Sequence, residues 1–322
     1  MSVGGIAWLW AQSRSVGRDL TPRALRRRVQ FMRAALRVRP ALAPLRSPAP
    51  GTALARALAQ RPQLVGAVVW PYVCAQWDAN ARLRHLVAHF EALDRTPALD
   101  VAADAATELL NLEEISPGLR VVLDQPAWFM REGPLVLNLF EGEVRLYSLA
   151  FSLGAPASRP AACIGALQGV TTEGVLDRYR ELTKALHGQR PRDFLIELFR
   201  MLCRAAGVAE ILAVADAQRV HRSAYFGEAK ATHLQVDYDE IWRDRGGEPR
   251  DAMFFTLPLQ PCARDLEEVP SKKRAMYRRR YELLAALAPR MAAACTVRSN
   301  GVGRAGDASP STAVFGHVAQ RA

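Results

Sequence analysis

The stretch LVLNLFEGEVRLYSLAFSL, residues 135–153, decides the fold class. Leu135 to Phe140 and Val144 to Leu153 read as two strands, and Glu141-Gly142 between them marks a hairpin turn. In the second strand Leu149, Phe151 and Leu153 alternate with Ala150 and Ser152, the period of two expected of a half-buried sheet strand. Outward from this hairpin, Leu119 to Leu123 reads as a preceding strand and Cys163 to Leu167 as a following one. Helices are predicted at about Glu173–Leu186 and Arg192–Ala206, then a short buried strand at Glu210–Ala215 and another at Ala252–Leu257. A long helix is predicted from Ser271 to about Ala293, and residues 52–115 read as mostly helical, Arg82 to Leu93 most clearly. The class is therefore α+β: a mainly antiparallel sheet flanked by helices, with a helical N-terminal region. The expected organisation is a basic helical arm and linker (1–51), a helical region (52–118), an α+β core (119–295) and a tail (296–322) whose Gly, Ser and Ala content suits disorder.

Charge is unevenly distributed. The 322 residues carry a formal net charge of +11. Residues 1–62 hold twelve Arg and one acid, Asp19, residues 63–269 net −8, and residues 270–290 net +6. Basic ends on an acidic centre admit two readings: the ends dock on the centre, or they serve an external anion such as nucleic acid, a phospholipid surface or a phosphorylated cofactor. In the arm, Thr21 can cap a helix and Pro22 suits its first position. Leu25, Val29, Met32 and Leu36 then share one helical face, and Arg23, Arg26, Arg27, Arg33 and Arg37 cover much of the rest. A basic amphipathic helix can bind an anionic membrane surface. The commoner arrangement packs the apolar stripe on the main domain and leaves the arginines in water. Pro40 limits the helix, and Pro44, Pro48, Pro50 and Gly51 mark a linker.

Several classes are excluded. Cys74, Cys163, Cys203, Cys262 and Cys295 are odd in number, widely spaced and without CxxC, so no disulfide framework or zinc site is expected, and a reducing cytoplasm fits. The longest apolar run, Leu64 to Ala75, contains Pro71 and falls short of the roughly 20 residues of a membrane span. Ile6 to Ala11 is too short for a secretory signal and no basic residue precedes it. The expected location is cytoplasmic, with peripheral attachment to the inner membrane as the variant. His85 and His89, four apart on a helix, could hold a metal, but no third ligand is near in sequence, and packing histidines are the better reading; no metal is expected. Asp237 and Asp239 read as a helix cap in the same way. Walker, Rossmann, HExxH and catalytic-triad motifs are absent.

Five blocks, in order, resemble the VirK/YbjX family of bacterial virulence-associated proteins over roughly residues 60–290. They are Leu146-Tyr147-Ser148-Leu149 continuing to Phe151-Ser152-Leu153; Ile164-Gly165-Ala166-Leu167-Gln168-Gly169; Leu182 to Gly188 followed by Arg190-Pro191; Asp237-Tyr238-Asp239 with Trp242; and the dense run Pro270 to Tyr281. The stretch Val214 to Arg222 departs from the family's Ser-Asn-Ala-Gln-His-Val-Tyr-Arg region. Asp216 stands for Asn, Arg219 for His and His221 for Tyr, while Arg222 matches. The resemblance implies a virulence or stress protein tied to envelope integrity and antimicrobial-peptide resistance, with an association to DNA-damage response. It defines no molecular activity, and whether the chain is an enzyme stays open.

The candidate site residues fall in the same blocks. The strand Cys163–Leu167 runs into the Gly-containing loop Gln168 to Gly174 and then a helix, a plan similar to that of GNAT-type acyltransferases. There, backbone N–H groups after a central strand cradle the cofactor pyrophosphate. On that reading acyl-CoA is the cofactor, held by Gln168 and Gly169; the loop lacks the usual motif, and Glu173 opposes a phosphate. The structural alternative makes Thr171 or Thr172 an N-cap. His187 could act as a general base, beside Lys184 and Arg190 as an anion clamp; alternatively Gly188 is the helix C′ residue and Lys184 and His187 favour the helix's negative end. Lys272, Lys273 and Arg274 fill the first turn of the last helix, against its macrodipole, which suits a bound anion; Asp265, Glu267 and Glu268 could neutralise them instead. Tyr238 and Asp239 are further catalytic candidates, and Arg222 a further anion-binding one. The expected partner is an anionic ligand. A nucleic-acid surface is disfavoured because Tyr277 and Tyr281 read as packing residues rather than base-stacking ones.

Overall fold

The computed structural model describes residues 3–17, 21–154, 160–227, 236–260 and 263–301. Strands β1 (Ala106–Asn111), β2 (Leu119–Asp124), β3 (Leu135–Glu141), β4 (Val144–Gly154), β5 (Ala161–Gly169), β6 (Glu210–Val214), β7 (Glu248–Pro249) and β8 (Phe254–Leu257) form one sheet in the order β1-β2-β3-β4-β5-β6-β8-β7. Every pairing is antiparallel except β5 with β6. The α+β class with a mainly antiparallel sheet is as the sequence predicts.

The deciding hairpin closes where expected. Glu141 pairs with Val144, and Gly142, at φ 55°, supplies the left-handed turn residue. The core-facing row is Leu135, Leu137 and Leu139 against Phe151, Leu149 and Tyr147. One expectation changes: β4 is not half-buried. Ala150 and Ser152 are also buried: Ala150 packs with Phe129, Val136 and Ala166 on the second face, and Ser152 lies against His85. The stretch read as helical to residue 118 ends in β1, whose Ala-Thr-Glu-Leu-Leu-Asn sequence has no alternation and is held by pairing with β2.

Helices α1 (Val3–Val16), α2 (Pro22–Arg37), α3 (Ala43–Arg46), α4 (Ala53–Gln60) and α5 (Ala79–Asp94) precede the sheet, α6 (Val175–Ala185) and α7 (Pro191–Ala205) join β5 to β6, and α8 (Tyr238–Asp244) and α9 (Ser271–Gly301) follow. Helix α5 lies on β4, α7 on β3 and β4, and α9 on α7 and β1. Phe151 meets Phe199 of α7 edge to face at 4.8 Å. Helix α9 buries Leu287, Met291 and Cys295 at four-residue spacing, which carries it past Ala293 and through Pro289 to Gly301. Of the expected tail, residues 302–322 lie outside the described residues. Cys74, Cys163, Cys203 and Cys295 are buried free thiols, and Cys262 lies outside the described residues. Among the described residues no helix is long and apolar enough to cross a membrane.

Candidate functional site

Two strands that begin as neighbours part company beside a buried charged cluster. β5 pairs with β6 only from Ala161 to Ile164, the last pair being Ile164 with Ala213. On its other side Phe151 pairs with Ile164 and Ala150 with Ala166, so Gly165 is the extra residue of a bulge. Glycine is required there, since a Cβ would lie 1.8 Å from the Glu132 carbonyl oxygen. Beyond Gly165 the β6-facing edge of β5 has no strand partner, and Tyr238 takes its place. The Tyr238 hydroxyl accepts from the Leu167 N–H at 2.7 Å and donates to the Leu167 carbonyl at 2.8 Å.

Local chemistry fixes Tyr238 there. Asp237 caps α8, accepting from the N–H groups of Asp239 at 2.8 Å and Glu240 at 3.2 Å. The Trp242 indole donates to the Val214 carbonyl at 2.9 Å, and Asp239 accepts from the Asp216 N–H at 2.7 Å. Burial pushes the Tyr238 hydroxyl above the usual phenol range, opposed by the Arg219 guanidinium 3.9 Å over its ring. It is therefore a neutral donor at physiological pH.

Around Tyr238 lies a charged cluster. Asp216 accepts from Arg219 at 3.2 Å and pairs with Arg222. His221 Nε2 sits 2.7 Å from Glu132 Oε1, whose side chain is 4% exposed. Among the described residues Glu132 Oε2, His221 Nδ1 and Arg222 Nε are buried without a hydrogen-bond partner. The cluster continues outward through aromatic contacts. The His221 ring meets Phe226 at 4.9 Å, and the Arg131 guanidinium stands over Trp70, Tyr225 and Phe226 at 5.0, 5.5 and 5.3 Å. The three departures from the family pattern are thus coupled: Asp216 and Arg219 pair with each other, and His221 pairs with Glu132. The sequence reading missed Glu132 and Arg131. The available signal was two charged residues inside the otherwise apolar stretch that leads into β3.

The other sequence candidates are placed as follows. Gln168 is half-buried opposite Ser148. Gly169 is packed so closely that a Cβ would lie 2.8 Å from the Tyr147 ring and 3.0 Å from the Tyr179 hydroxyl. The next helix has Gly174, at φ 75°, as its N-cap, not Thr171 or Thr172. Asp177 occupies its first turn, Arg178 pairs with Glu141 at 3.6 Å, and Arg180 pairs with Asp177 at 2.5 Å. With acids at the helix start and the nearby arginines already paired, this loop does not fit a pyrophosphate, and the acyl-CoA expectation finds no phosphate cradle there. The residue that follows the Leu186 cap of α6 is His187, left-handed at φ 51°, and Gly188 after it is left-handed as well, at φ 76°. The Gly188 N–H closes the motif on the Thr183 carbonyl at 2.7 Å, and Arg280 donates to the His187 carbonyl at 2.9 Å. Lys184 and Arg190 are exposed. Arg274 donates to the Val269 and Glu267 carbonyls at 2.9 Å each, and Lys272 and Lys273 are exposed. The fold thus gathers Tyr238, Asp239 and Arg222 beside the end of β5, and separately joins His187 to the last helix. Among the described residues no hydrogen bond or ion pair links Lys272, Lys273 or Arg274 to either group.

His85 and His89 tie α5 to β4. His85 Nε2 lies 2.7 Å from the Ser152 hydroxyl, and His89 Nδ1 accepts from the Leu153 N–H at 2.9 Å. Burial pulls their pKa values down to about 4 and about 3. Among the described residues no three potential ligands cluster around a metal position.

A second feature lies on the surface of the N-terminal helices. Thr21 caps α2, as expected, accepting from the Ala24 N–H at 3.2 Å. The packed face, however, is Ala24, Arg28, Phe31 and Ala35. The expected stripe divides: Met32 packs partly against the core, while Leu25, Val29 and Leu36 are 44%, 48% and 42% exposed. The reason is steric and local. α1 and α2 approach so closely that a Cβ on Gly17 would lie 2.7 Å from the Ala24 carbonyl, which favours small residues at the contact. Arg28 is accommodated by donating to Ser13 Oγ at 3.1 Å and lying 4.4 Å from the centre of the Trp10 ring. Ile6 and Trp10 of α1 are exposed as well. Arg23, Arg26, Arg27, Arg33 and Arg37 are exposed, and none has an ion pair among the described residues.

Comparison with known proteins places the chain among bacterial relatives. A family model described as a protein of unknown function, DUF535, matches residues 21–293, a wider span than the 60–290 expected and one that includes α2. The chain is 28% identical over 248 residues to the uncharacterized protein YbjX of Escherichia coli (strain K12), covering 73% of each. It is 34% identical over 182 residues to an uncharacterized protein of Haemophilus influenzae, covering 56% of this chain and 58% of that protein. No solved structure matches.

Proposed function

This chain belongs to the DUF535 family, and from that premise we propose that it works at an anionic surface, engaging phospholipid head groups through its N-terminal helices in support of bacterial envelope integrity and antimicrobial-peptide resistance. One observation carries the reading. Leu25, Val29 and Leu36 are exposed on a helix that also exposes Arg23, Arg26, Arg27, Arg33 and Arg37. Apolar side chains that insert at the headgroup boundary, flanked by cations that attract anionic lipids, are what an interfacial helix needs. Each Arg near such a surface contributes about 1 kcal/mol, and the attraction falls off within a Debye length. The test is flotation of the full-length protein with phosphatidylglycerol-containing and phosphatidylcholine vesicles. The expected result is binding to the first alone, weakening as salt rises. Equal binding to both, or to neither, would overturn the reading.

Acyl transfer at the β5–β6 divergence is the second reading, supported by the Gly165 bulge and opposed by the acids at the start of α6. Native mass spectrometry with added acetyl-CoA tests it: a bound cofactor mass supports it, and a bare protein mass counts against it.

A further inference from the structure

Arg23, Arg26, Arg27 and Gln30 of α2 form one wall of a surface groove of about 410 Å³, and Tyr225 faces them. The groove continues into a space of about 440 Å³ that shares Arg27, Gln30 and Tyr225 and adds the apolar residues Val16, Ala34, Val68 and Val69. One end is therefore cationic and the other hydrocarbon-like. The three arginines sit at i, i+3 and i+4, the spacing that brings like charges together on one helix face, where each pair is destabilising by a few tenths of a kcal/mol. Among the described residues no carboxylate pairs with them, and Arg131, stacked on Tyr225, adds a fourth positive charge behind the opposite wall. An anion between the walls would relieve that repulsion, and guanidinium forks suit a phosphate's oxygens.

We propose that this groove binds a phosphorylated amphiphile, its phosphate against Arg23, Arg26 and Arg27 and its first acyl carbons along Val16, Ala34, Val68 and Val69. The proposal deepens the membrane reading and rests on it for the source of the ligand, yet it uses a different side of α2. At 100° per residue the groove-lining positions and the Leu25–Val29–Leu36 stripe are centred about 135° apart around the helix axis. A lipid can therefore be held in the groove while the stripe contacts the bilayer, and the two sites can be damaged separately.

The test is isothermal titration calorimetry on the full-length protein with soluble probes. Dihexanoyl phosphatidic acid should bind with one-to-one stoichiometry. Glycerol 3-phosphate, with the same phosphate and no acyl chain, should bind at least tenfold more weakly, and dihexanoyl phosphatidylcholine should give no saturable binding. Gln30→Trp, at an exposed position, fills the groove and should abolish binding; the double variant Arg26→Gln/Arg27→Gln should weaken it at least tenfold. The triple variant Leu25→Ser/Val29→Ser/Leu36→Ser should retain it, even where vesicle binding is lost, so the groove and the membrane reading fail independently. No saturable binding of dihexanoyl phosphatidic acid, or unchanged binding in Gln30→Trp, would overturn the proposal. Equal affinity for glycerol 3-phosphate would overturn the role given to the apolar end and leave a site for free phosphate.

Discussion

Tyr238 replaces a missing strand for Leu167: one hydroxyl accepts from the Leu167 N–H at 2.7 Å and donates to its carbonyl at 2.8 Å. Two backbone groups that would be buried without partners are satisfied by a side chain 71 residues away. That contact locks the end of β5 to α8, and through Asp216 to the charged cluster.

Removing the hydroxyl should therefore cost more than an ordinary hydrogen bond. Tyr238→Phe keeps the ring under Arg219 but leaves a buried donor and acceptor unpaired, at a cost of about 1–3 kcal/mol for such a group. Urea unfolding should show a lower midpoint with an unchanged slope. An unaltered midpoint would mean that Leu167 finds another partner.

Gly165 should tolerate no side chain. A Cβ would meet the Glu132 carbonyl oxygen at 1.8 Å, a clash with backbone rather than with a movable side chain. Gly165→Ala should destabilise the fold by roughly 3 kcal/mol or more, in the range reserved for overpacking and backbone strain. Wild-type thermal stability in this variant would contradict the bulge geometry.

Acid should weaken the fold through α5. The folded-state pKa values of His85 and His89, about 4 and about 3, lie below the ordinary value of 6.5, so the unfolded chain binds protons first as pH falls. Their contribution is fully present above pH 6.5 and is lost progressively as pH drops towards those folded values. Between pH 6.5 and 5 each histidine should account for roughly 1–2 kcal/mol of lost stability, at about 1.4 kcal/mol per pH unit. His85→Gln should flatten the pH dependence of the urea midpoint over that interval relative to wild type. Parallel curves for the two proteins would contradict a neutral His85.

What the sequence makes legible follows from what each signal depends on. The strands from Leu135 to Leu153 declare themselves because alternation and a turn glycine are local. β1 does not, because Ala106 to Asn111 is set by its partner β2 rather than by its own pattern. The packed face of α2 misleads for a related reason. Leu25, Val29 and Leu36 belong to its most apolar row, yet the packed face is Ala24, Arg28, Phe31 and Ala35, with Ala24 against Gly17 and Arg28 finding Ser13 and Trp10 across the contact. At the candidate site Tyr238, Asp239 and Arg222 stand out in the sequence, but Tyr238's partner is a backbone, which no residue type announces. Glu132 lies 89 positions before His221, and only the fold brings them to 2.7 Å.

The central claim is that α2 meets an anionic membrane with the row it leaves unpacked. The most direct measurement is the partition of the triple variant Leu25→Ser/Val29→Ser/Leu36→Ser onto phosphatidylglycerol-containing vesicles, beside wild type at the same salt. These side chains are exposed, so thermal stability should hardly change. Burying three of them in the headgroup region is worth roughly 1–3 kcal/mol each when complete, so partition should fall at least tenfold. A variant that partitions like wild type would contradict the account, and would leave the row on α2 as solvent-exposed surface.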